Sequence, residues 1–372
     1  MLNDPINGDE FEQEDERILL GGSLSNEVET EIFGIPVMRN IGTDMRYDNV
    51  SELNLFYTVG RKRFKNLRED EAEELSIGAF ADLEFSLTDQ LRATLGVRFD
   101  YYDFEIEALR PGNSGGDNDS LWQPKVSLAY SLNENFELYA NYGQGFHSND
   151  VRVAVNTIDP ATGDPSASLD ALVKGKGNEI GFRYDTLEGF NFTITRFELD
   201  LESELMFVGD AGTTEPSLPS RRDGIELTSF WEINEPLAFD FSVSKTDGHF
   251  RGLPSGENAI PDAHDLVAAA GLTYHVPNGW TTSLRVRHFS DAVLTEDESV
   301  KKSSSTLIHF GVSYEQDSWE LGLDVLNLLD REDDDIAYWF ESRLLSEGVA
   351  VEDVHFHPSN RRAVRLLLKY KL

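Results

Sequence analysis

Residues 75–101 read LSIGAFADLEFSLTDQLRATLGVRFDY. Apolar and polar residues alternate in both halves of this stretch, and a short turn at residues 88–90 separates the halves. Alternation with a period of two is typical of a strand that has one apolar face and one polar face. The stretch therefore predicts a β-hairpin with an apolar side and a polar side.

Each arm of this hairpin is longer than about ten residues, which is about twice the usual length of a strand in a globular protein. Long strands with a continuous apolar face and a charged face suit a wall between lipid and water, which is a transmembrane β-barrel. We predict that Leu83 and Leu95 face lipid and that Arg92 and Arg98 face the lumen. The turn would then lie on the periplasmic side.

The overall composition excludes several classes of protein. The 372 residues include no cysteine, and 68 acidic against 32 basic residues give a net charge of −36. A disulfide framework and thiolate metal sites are therefore excluded, and no nucleic-acid partner is expected, because phosphate binding needs clustered lysine and arginine. The negative net charge has two explanations. It keeps the protein soluble, which includes adaptation to a salt-rich habitat, or it reflects acidic surface loops that have a role involving cations.

Neither a transmembrane helix nor a leader is predicted. No run of about 18 apolar residues is present. Residues 1–10 have neither the basic region nor the apolar core of a signal peptide. Because an outer-membrane barrel needs such a peptide to leave the cytoplasm, we expect that this chain lacks its true N-terminus.

The same alternation recurs along the chain and predicts about fifteen strands of an all-β, antiparallel, up-and-down barrel. Short turns alternate strictly with long polar loops, which places the turns on one rim and the loops on the other. We expect residues 1–16 to form an acidic loop and residues 17–372 to form the barrel. Strands are predicted at residues 17–24 and 41–59, in the hairpin, and around Val126, Phe136, Ile180, Phe190, Ile225, Leu237, Leu266, Trp280, Ile308, Trp319 and Val364.

Details of this pattern give further expectations. Loops are predicted at residues 61–74, 111–120, 148–172 and 330–360. The apolar phase slips by one residue near Thr195, which predicts a β-bulge. Aromatic residues directly follow three short turns on the apolar phase, and they indicate either an interfacial girdle of a membrane barrel or ordinary packing in a soluble sheet. These residues are Phe136, Trp280 and Trp319.

Residues 137–152 read ELYANYGQGFHSNDVR. This stretch resembles the Y-x-N-Y-G-x-G-F-H-S-N-D segment of TonB-dependent outer-membrane receptors. Other stretches resemble elements of the same family in the same order, and the resemblance spans roughly residues 40–372. They are GVRFD at 96–100, NSG at 113–115, PKVSL at 124–128, GNEIG at 177–181 and DVLNLLD at 324–330.

The resemblance implies a 22-stranded barrel in the outer membrane, filled by an N-terminal plug. It implies uptake of a scarce ligand, such as a ferric siderophore or cobalamin, with energy delivered by TonB to a short N-terminal box. The chain would be the C-terminal portion, about the last 15 strands. An odd count fits the tail of a larger barrel, because closure with both chain ends on one rim needs an even number.

The chain departs from the family pattern in what it omits. From the resemblance we expect this chain to lack the plug, the TonB box and about the first seven strands, and Leu372 stands where the family has a terminal aromatic residue. The expected partners are therefore outer-membrane lipid, a small-molecule ligand, and TonB through the missing plug region. An unclosed barrel would leave two strand edges unpaired in lipid.

No enzyme motif and no cofactor site is predicted, because GxSxG, HExxH and P-loop patterns are all absent. His355 and His357 lie on one face of an extended segment, which suits either a metal clip or, as we favour, two solvated loop histidines. The acidic run 332–335 suits a divalent cation or, again favoured, a plain acidic loop. We therefore assign no metal ligands.

The candidate site residues fall into two groups. His147, Ser148, Asn149 and Asp150 lie where a strand leaves the wall, and we interpret them as a strand-to-loop anchor near the lumen mouth. The alternative is direct ligand contact by His147, Asn149, Asp150 and Arg152. Inward-facing cations would line the lumen or, as we favour, pair with plug carboxylates: Arg92, Arg98, Lys125, Arg285, Arg287 and Arg365.

Two other classes of function remain as alternatives. A porin-like barrel for passive diffusion would share the strand pattern. A soluble all-β carbohydrate-binding protein would not keep every strand this long with apolar residues on the outward face.

Overall fold

The computed structural model describes residues 10–158, 163, 165–166, 168–203, 205–208, 213–344 and 346–371. Within these residues, fifteen strands form one antiparallel sheet in which each wall strand pairs with the next along the chain. The wall strands are β1 (Glu10–Ile32), β2 (Ile35–Val59), β3 (Lys62–Ser86), β4 (Leu91–Ala108), β5 (Gly115–Ser131), β6 (Phe136–Ser148), β7 (Leu172–Asp185), β8 (Phe190–Leu201), β11 (Ser220–Asn234), β12 (Leu237–Phe250), β13 (Leu266–Val276), β14 (Trp280–Phe289), β17 (Ser305–Gln316), β18 (Trp319–Leu326) and β21 (Ala363–Tyr370).

The remaining elements lie in the long loops. Three short hairpins pair β9 (Leu205–Val208) with β10 (Thr213–Pro216), β15 (Ala292–Val293) with β16 (Lys301–Lys302), and β19 (Asp334–Ser342) with β20 (Val351–Pro358). One short helix, α1 (Val151–Val155), and a 3-10 turn at Pro111–Asn113 complete the described elements. No helix in the described part of the chain is long and apolar enough to cross a membrane.

The sheet confirms the predicted all-β, antiparallel, up-and-down order. Consecutive strands are neighbours throughout, as expected for a meander. Within the described residues β1 and β21 do not pair with each other, so the sheet is open and both of these strands are edges.

The two faces of the sheet differ as the opening hairpin predicts. Leu95 pairs with Leu83 on β3 and with Val126 on β5, so these side chains form one outward row. Leu95 is 50% exposed, which suits a side chain that contacts lipid. The opposite, inner face carries the charged partners of the same strands.

Aromatic rings line the turn-side edge of the outward face. Phe136 and Tyr184 have ring centroids 4.3 Å apart, and the row continues through Phe190 to Trp231. A second row places Trp280 4.9 Å from Tyr314, which lies 5.5 Å from Trp319. Rings at one height on neighbouring strands are the arrangement of an interfacial girdle rather than of a buried core.

The predicted bulge near Thr195 is wrong. β8 pairs without interruption from Phe190 to Leu201 with β11 and from Asn191 to Leu201 with β7. The outward face has the apolar Ile194 at membrane height and the charged Arg196 above it, where the strand leaves the lipid. The inner face has the apolar Phe197 at that height. The polarity of the two faces is therefore reversed above the membrane without an inserted residue.

Several predicted loops are strands. β1 begins at Glu10, inside the segment predicted as the 1–16 loop, and residues 1–9 lie outside the described residues. β3 begins at Lys62 and β5 at Gly115, so most of 61–74 and 111–120 is also strand. These extensions have charged or other polar residues on both faces, so they lack a continuous apolar phase. Ion pairs across strands hold them, as where Arg63 pairs with Glu12.

A small apolar core closes the inner face near the loop rim. Phe104, Ile106 and Ala72 pack with Val151 of α1 and with Ala171. This core fixes the segment that follows β6 against the wall, and that segment contains the predicted site residues.

Candidate functional site

The inner face carries cross-strand ion pairs that pass over glycine. Arg98 on β4 reaches across Gly78 on β3 to Asp44 on β2, with Nη1 2.7 Å from Oδ2. Its Nη2 is 2.5 Å from Asp100, whose side chain is buried and also accepts from Gln123. A Cβ atom at Gly78 would lie 2.0 Å from Arg98 Nη2. Glycine is therefore required for this crossing.

A second pair repeats the same geometry. Arg285 on β14 passes over Gly271 on β13 to Asp240 on β12, with Nη1 2.6 Å from Oδ1. A Cβ atom at Gly271 would lie 2.0 Å from Arg285 Nη1. The inner face therefore uses arginine, glycine and aspartate on three successive strands as a repeated unit.

The six predicted inward cations all lie on this face, and the structure separates them into two groups. Arg92, Arg98 and Arg285 are each paired with a carboxylate two strands away, and Arg365 lies 2.6 Å from Asp324 on the adjacent strand. Within the described residues, no carboxylate lies within salt-bridge distance of Lys125 or Arg287. The guanidinium of Arg287 instead lies 5.4 Å above the ring of Phe289. Pairing with plug carboxylates stays a prediction.

The segment after β6 is a loop anchor. Asn149 is buried, its backbone N–H donates to the Ala171 carbonyl at 2.8 Å, and its Nδ2 donates to the Asp170 carbonyl at 2.8 Å. The carboxylate of Asp150 caps α1 by accepting the backbone N–H of Arg152 at 3.0 Å. These contacts join the two ends of the loop between β6 and β7.

Charges in this anchor are mutually compensated. Burial raises the pKa of Asp150, but hydrogen bonds from the Arg152 guanidinium more than offset this, so the pKa lies below its ordinary value. Arg152 Nη1 also lies 3.8 Å from Asp70, where burial raises the pKa of the carboxyl. Because Arg152 forms ion pairs with both of these carboxylates, it stabilises the conformation of the loop.

A cavity of about 310 Å³ lies beside the anchor. Asn149, Asp150 and Arg152 line it on one side, and Arg46 with Asp48 on the other; His147 does not reach it. The Oδ1 atom of Asn149 is buried and has no hydrogen-bond partner. The lining of the cavity offers charges of both signs to a polar molecule.

Sequence analysis missed the Arg46–Asp48 side of this cavity. Arg46 Nε lies 2.6 Å from Asp48 Oδ2, and the two residues are separated by one position on a strand. A signal was present, because arginine and aspartate at i and i+2 of a strand share a face. The same spacing forms ion pairs at Arg17–Asp15, Arg68–Asp70, Arg98–Asp100, Arg152–Asp150 and Arg331–Asp333.

Asn327 organises the last long loop. It is 2% exposed and adopts a left-handed conformation with φ of 48°. Its Nδ2 donates to the carbonyls of Arg331 and Asn360, and its Oδ1 accepts the backbone N–H of Arg331 at 2.9 Å. One side chain thus ties both ends of the loop that carries the β19–β20 hairpin.

Replacing Asn327 with glycine keeps the backbone conformation accessible and removes all three side-chain hydrogen bonds. We expect the closed loop to lose about 1–3 kcal/mol, since buried carbonyls lose their donors. Protease cleavage within residues 331–360 should become about fivefold to a hundredfold faster. The control is Asn133→Gly in an exposed turn, and equal cleavage rates in the two variants would contradict the role of Asn327.

Asp330 makes this loop sensitive to acid. The Arg361 guanidinium lies 2.9 Å from its carboxylate and, with the backbone N–H of Arg362, lowers the pKa of Asp330 from 3.8 to about 2. Since the folded pKa is below the unfolded one, the contribution is complete above about pH 4 and is lost as the pH falls through about 2. We expect protease cleavage of the loop to rise over that range in the wild type and to be less pH-dependent in Asp330→Asn.

His355 and Asp333, which were singled out in the sequence, both have structural contacts. The ring of His355 stacks on Phe340 at 3.8 Å, and its Nε2 contacts Ser342. Asp333 pairs with Arg331 and accepts hydrogen bonds from Ser305 and the backbone N–H of Thr306. In the described part of the chain, no group of three or more such side chains has a geometry that would hold a metal ion.

Outward aromatic rows, a charged inner face and the meander order together define the wall of a membrane β-barrel. A family model described as "TonB dependent receptor-like, beta-barrel" matches residues 3–328. The chain belongs to this family.

Known relatives agree with this assignment. The metal-pseudopaline receptor CntO of Pseudomonas aeruginosa is 25% identical over 206 residues, covering 49% of this chain and 26% of the relative. The pesticin receptor of Yersinia enterocolitica is 24% identical over 179 residues, covering 45% and 25%. These relatives are receptors and not enzymes.

Solved structures show the same fold. The ferric-catecholate import receptor Fiu of E. coli has a TM-score of 0.73 at 14% identity, covering 96% of this chain and 55% of that one. The ferric yersiniabactin uptake receptor FyuA of Yersinia pestis has a TM-score of 0.70 at 16% identity, covering 96% and 54%. The chain thus spans about half the length of these receptors.

Proposed function

We propose that this chain is the C-terminal wall of an outer-membrane receptor that takes up a scarce ligand with energy supplied through TonB. The ligand class that the relatives' names support is a metal-bearing small molecule such as a ferric siderophore; cobalamin is the other candidate. The observation that carries the proposal is the family match across residues 3–328.

The geometry supports different roles for the inner face of the wall and for the loops at its rim. Ion pairs that pass over Gly78 and Gly271 keep the inner face closely packed. The anchored loops after β6 and β18 lie on the rim where an external ligand would first be met. The cavity beside Asn149 provides a polar surface at that rim.

Uptake measurements test the proposal with the receptor as its full-length gene encodes it. Cells that lack other receptors for the same ligands would be supplied with a panel of labelled ferric siderophores and cobalamin. We expect saturable uptake of one ligand class that stops when TonB is deleted. Uptake that is unsaturable and independent of TonB would instead support a passive porin-like barrel.

Fractionation tests the location independently of the ligand. We expect the full-length protein in the outer-membrane fraction, with migration on gels that changes on heating. Recovery in the cytosol without heat-dependent migration would contradict both the receptor and the porin, and would favour a soluble carbohydrate-binding protein.

A further inference from the structure

The short turn between β13 and β14 contains an asparagine followed by a glycine. Residues 277–279 read PNG and connect Val276 to Trp280, which pair with each other across the hairpin. Among the residues that the structure describes, Asn278 is the one asparagine that precedes a glycine, and it is exposed. The pair suits a tight turn, because asparagine favours turns and glycine adopts positive φ freely.

The carboxamide of Asn278 is free to rotate. Within the described residues it makes no hydrogen bond. In the turn between β5 and β6, on the same rim, Oδ1 of Asn133 accepts the backbone N–H of Phe136 at 3.2 Å. In that turn Nδ2 of Asn135 also donates to the Asp185 carbonyl at 2.7 Å. Those two carboxamides are held in place, whereas that of Asn278 can turn towards the peptide group that follows it.

The peptide nitrogen of Gly279 is the group that the Asn278 side chain can reach. This nitrogen donates to the Val276 carbonyl at 3.2 Å, which is at the long end of the range for such hydrogen bonds. Glycine has no Cβ atom that would obstruct the approach of its nitrogen to Cγ of Asn278. A reaction within one chain needs no encounter between two molecules, so favourable orientation accelerates it.

Packing against the neighbouring turn requires glycine at position 279. Gly279 has φ of 86°, and its carbonyl accepts the backbone N–H of Glu315 at 2.9 Å. A Cβ atom at this position would lie 2.3 Å from the Glu315 carbonyl oxygen. Because a residue with a side chain does not fit, the fold retains the residue type that least hinders a reaction at Asn278.

We propose that Asn278 is a site of spontaneous deamidation, which converts it to a mixture of isoaspartate and aspartate. The Gly279 nitrogen attacks Cγ of Asn278, a C–N bond forms, and the Cγ–Nδ2 bond breaks. Nδ2 leaves as ammonia with the proton that the attacking nitrogen loses. Water then opens the succinimide ring: cleavage at the main-chain carbonyl gives isoaspartate, and cleavage at Cγ gives aspartate. Neither step involves oxidation or reduction.

The isoaspartate product changes the turn in which it forms. It inserts an extra carbon into the main chain ahead of Gly279 and adds a negative charge. Because Gly279 fits closely against Glu315, the insertion breaks the hydrogen bond between the two turns. The rings of Trp280 and Tyr314, which lie 4.9 Å apart on the same two hairpins, then lose their alignment. The site does not depend on which ligand is transported.

The test follows the full-length protein in detergent during incubation at a mildly alkaline pH. Peptide mass spectrometry measures the gain of about 1 Da at each asparagine, and isoaspartyl methyltransferase labels isoaspartate. We expect Asn278 to deamidate at least about tenfold faster than Asn133 and Asn135, with isoaspartate among its products. A second Asn-Gly pair, at residues 7–8, lies outside the described residues, so each site is measured on its own peptide.

The variant Asn278→Gln removes the fast site, because a glutamine side chain would have to close a larger ring, which forms more slowly. Heat-dependent gel migration before incubation shows whether the variant folds. After incubation, the wild type should lose this migration at a lower temperature than Asn278→Gln. An equal loss in both proteins would contradict the effect of deamidation on the two turns.

Three results would overturn the assignment of the site: a rate at Asn278 within about twofold of the rate at Asn133, conversion to aspartate without isoaspartate, or an unchanged mass gain of the same peptide in Asn278→Gln. If the variant does not fold, the rates of the three asparagines in the wild type decide the question. Uptake of the transported ligand by freshly prepared protein should be equal in Asn278→Gln and wild type, which separates this site from the proposed transport function.

Discussion

Replacing Leu95 with arginine is expected to destabilise the folded protein by about 2–4 kcal/mol in lipid, because a guanidinium near the middle of the bilayer loses its hydration. Leu95 lies between Leu83 and Val126 on the outward face and is 50% exposed. On a water-exposed sheet the same substitution would cost little. The measurement is denaturant-induced unfolding of the full-length protein reconstituted in lipid vesicles.

A matched control lies one residue away. Thr94 is on the inner face, paired with Glu84, so an arginine there stays in a polar environment. We expect Thr94→Arg to change the free energy of unfolding by less than about 1 kcal/mol. If Thr94→Arg were the costlier substitution, the assignment of the two faces would be reversed.

Replacing Arg98 with alanine is expected to cost about 1–3 kcal/mol, because it leaves the buried carboxylate of Asp100 without its charged partner. The side chain of Asp100 is 4% exposed and that of Arg98 is 26% exposed. Asp44 loses its partner as well, but it is more open to water, at 41%. The free energy of unfolding in detergent is the quantity to measure.

Arg285→Ala provides the comparison for this prediction. The Arg285–Asp240 pair has the same geometry across a glycine, but its side chains are 50% and 38% exposed. Exposed pairs contribute about 0–1 kcal/mol because water screens them. Equal losses in the two variants would mean that burial does not set the strength of these pairs.

Much of the wall could be predicted from the sequence because membrane-level strands have a strong local signal. The alternation around Leu83 and Leu95 located the strands, and Trp280 with Trp319 located the girdle. The extensions beyond the membrane could not be predicted in this way. Their charged residues face water on both sides, so no period-two signal separates a strand such as residues 62–74 from a loop.

The candidate site was predicted in part. The sequence located the anchor at Asn149 and Asp150, because a family-like segment ends there where a strand leaves the wall. It did not show that Arg152 is bound to Asp150 and Asp70, or that Arg46 and Asp48 complete the cavity. The Arg152–Asp70 pair and the two sides of the cavity join residues about 80 to 100 positions apart along the chain, and only the register of β2 to β6 brings them together.

The sequence by itself determined that this chain forms an antiparallel membrane wall, because the alternation at residues 75–101 specifies which side chains can meet lipid. Tertiary structure alone decided which charges are neutralised. A strand pattern fixes the face of Arg98 but not its partner, since Asp44 becomes a neighbour only when Gly78 leaves room between them.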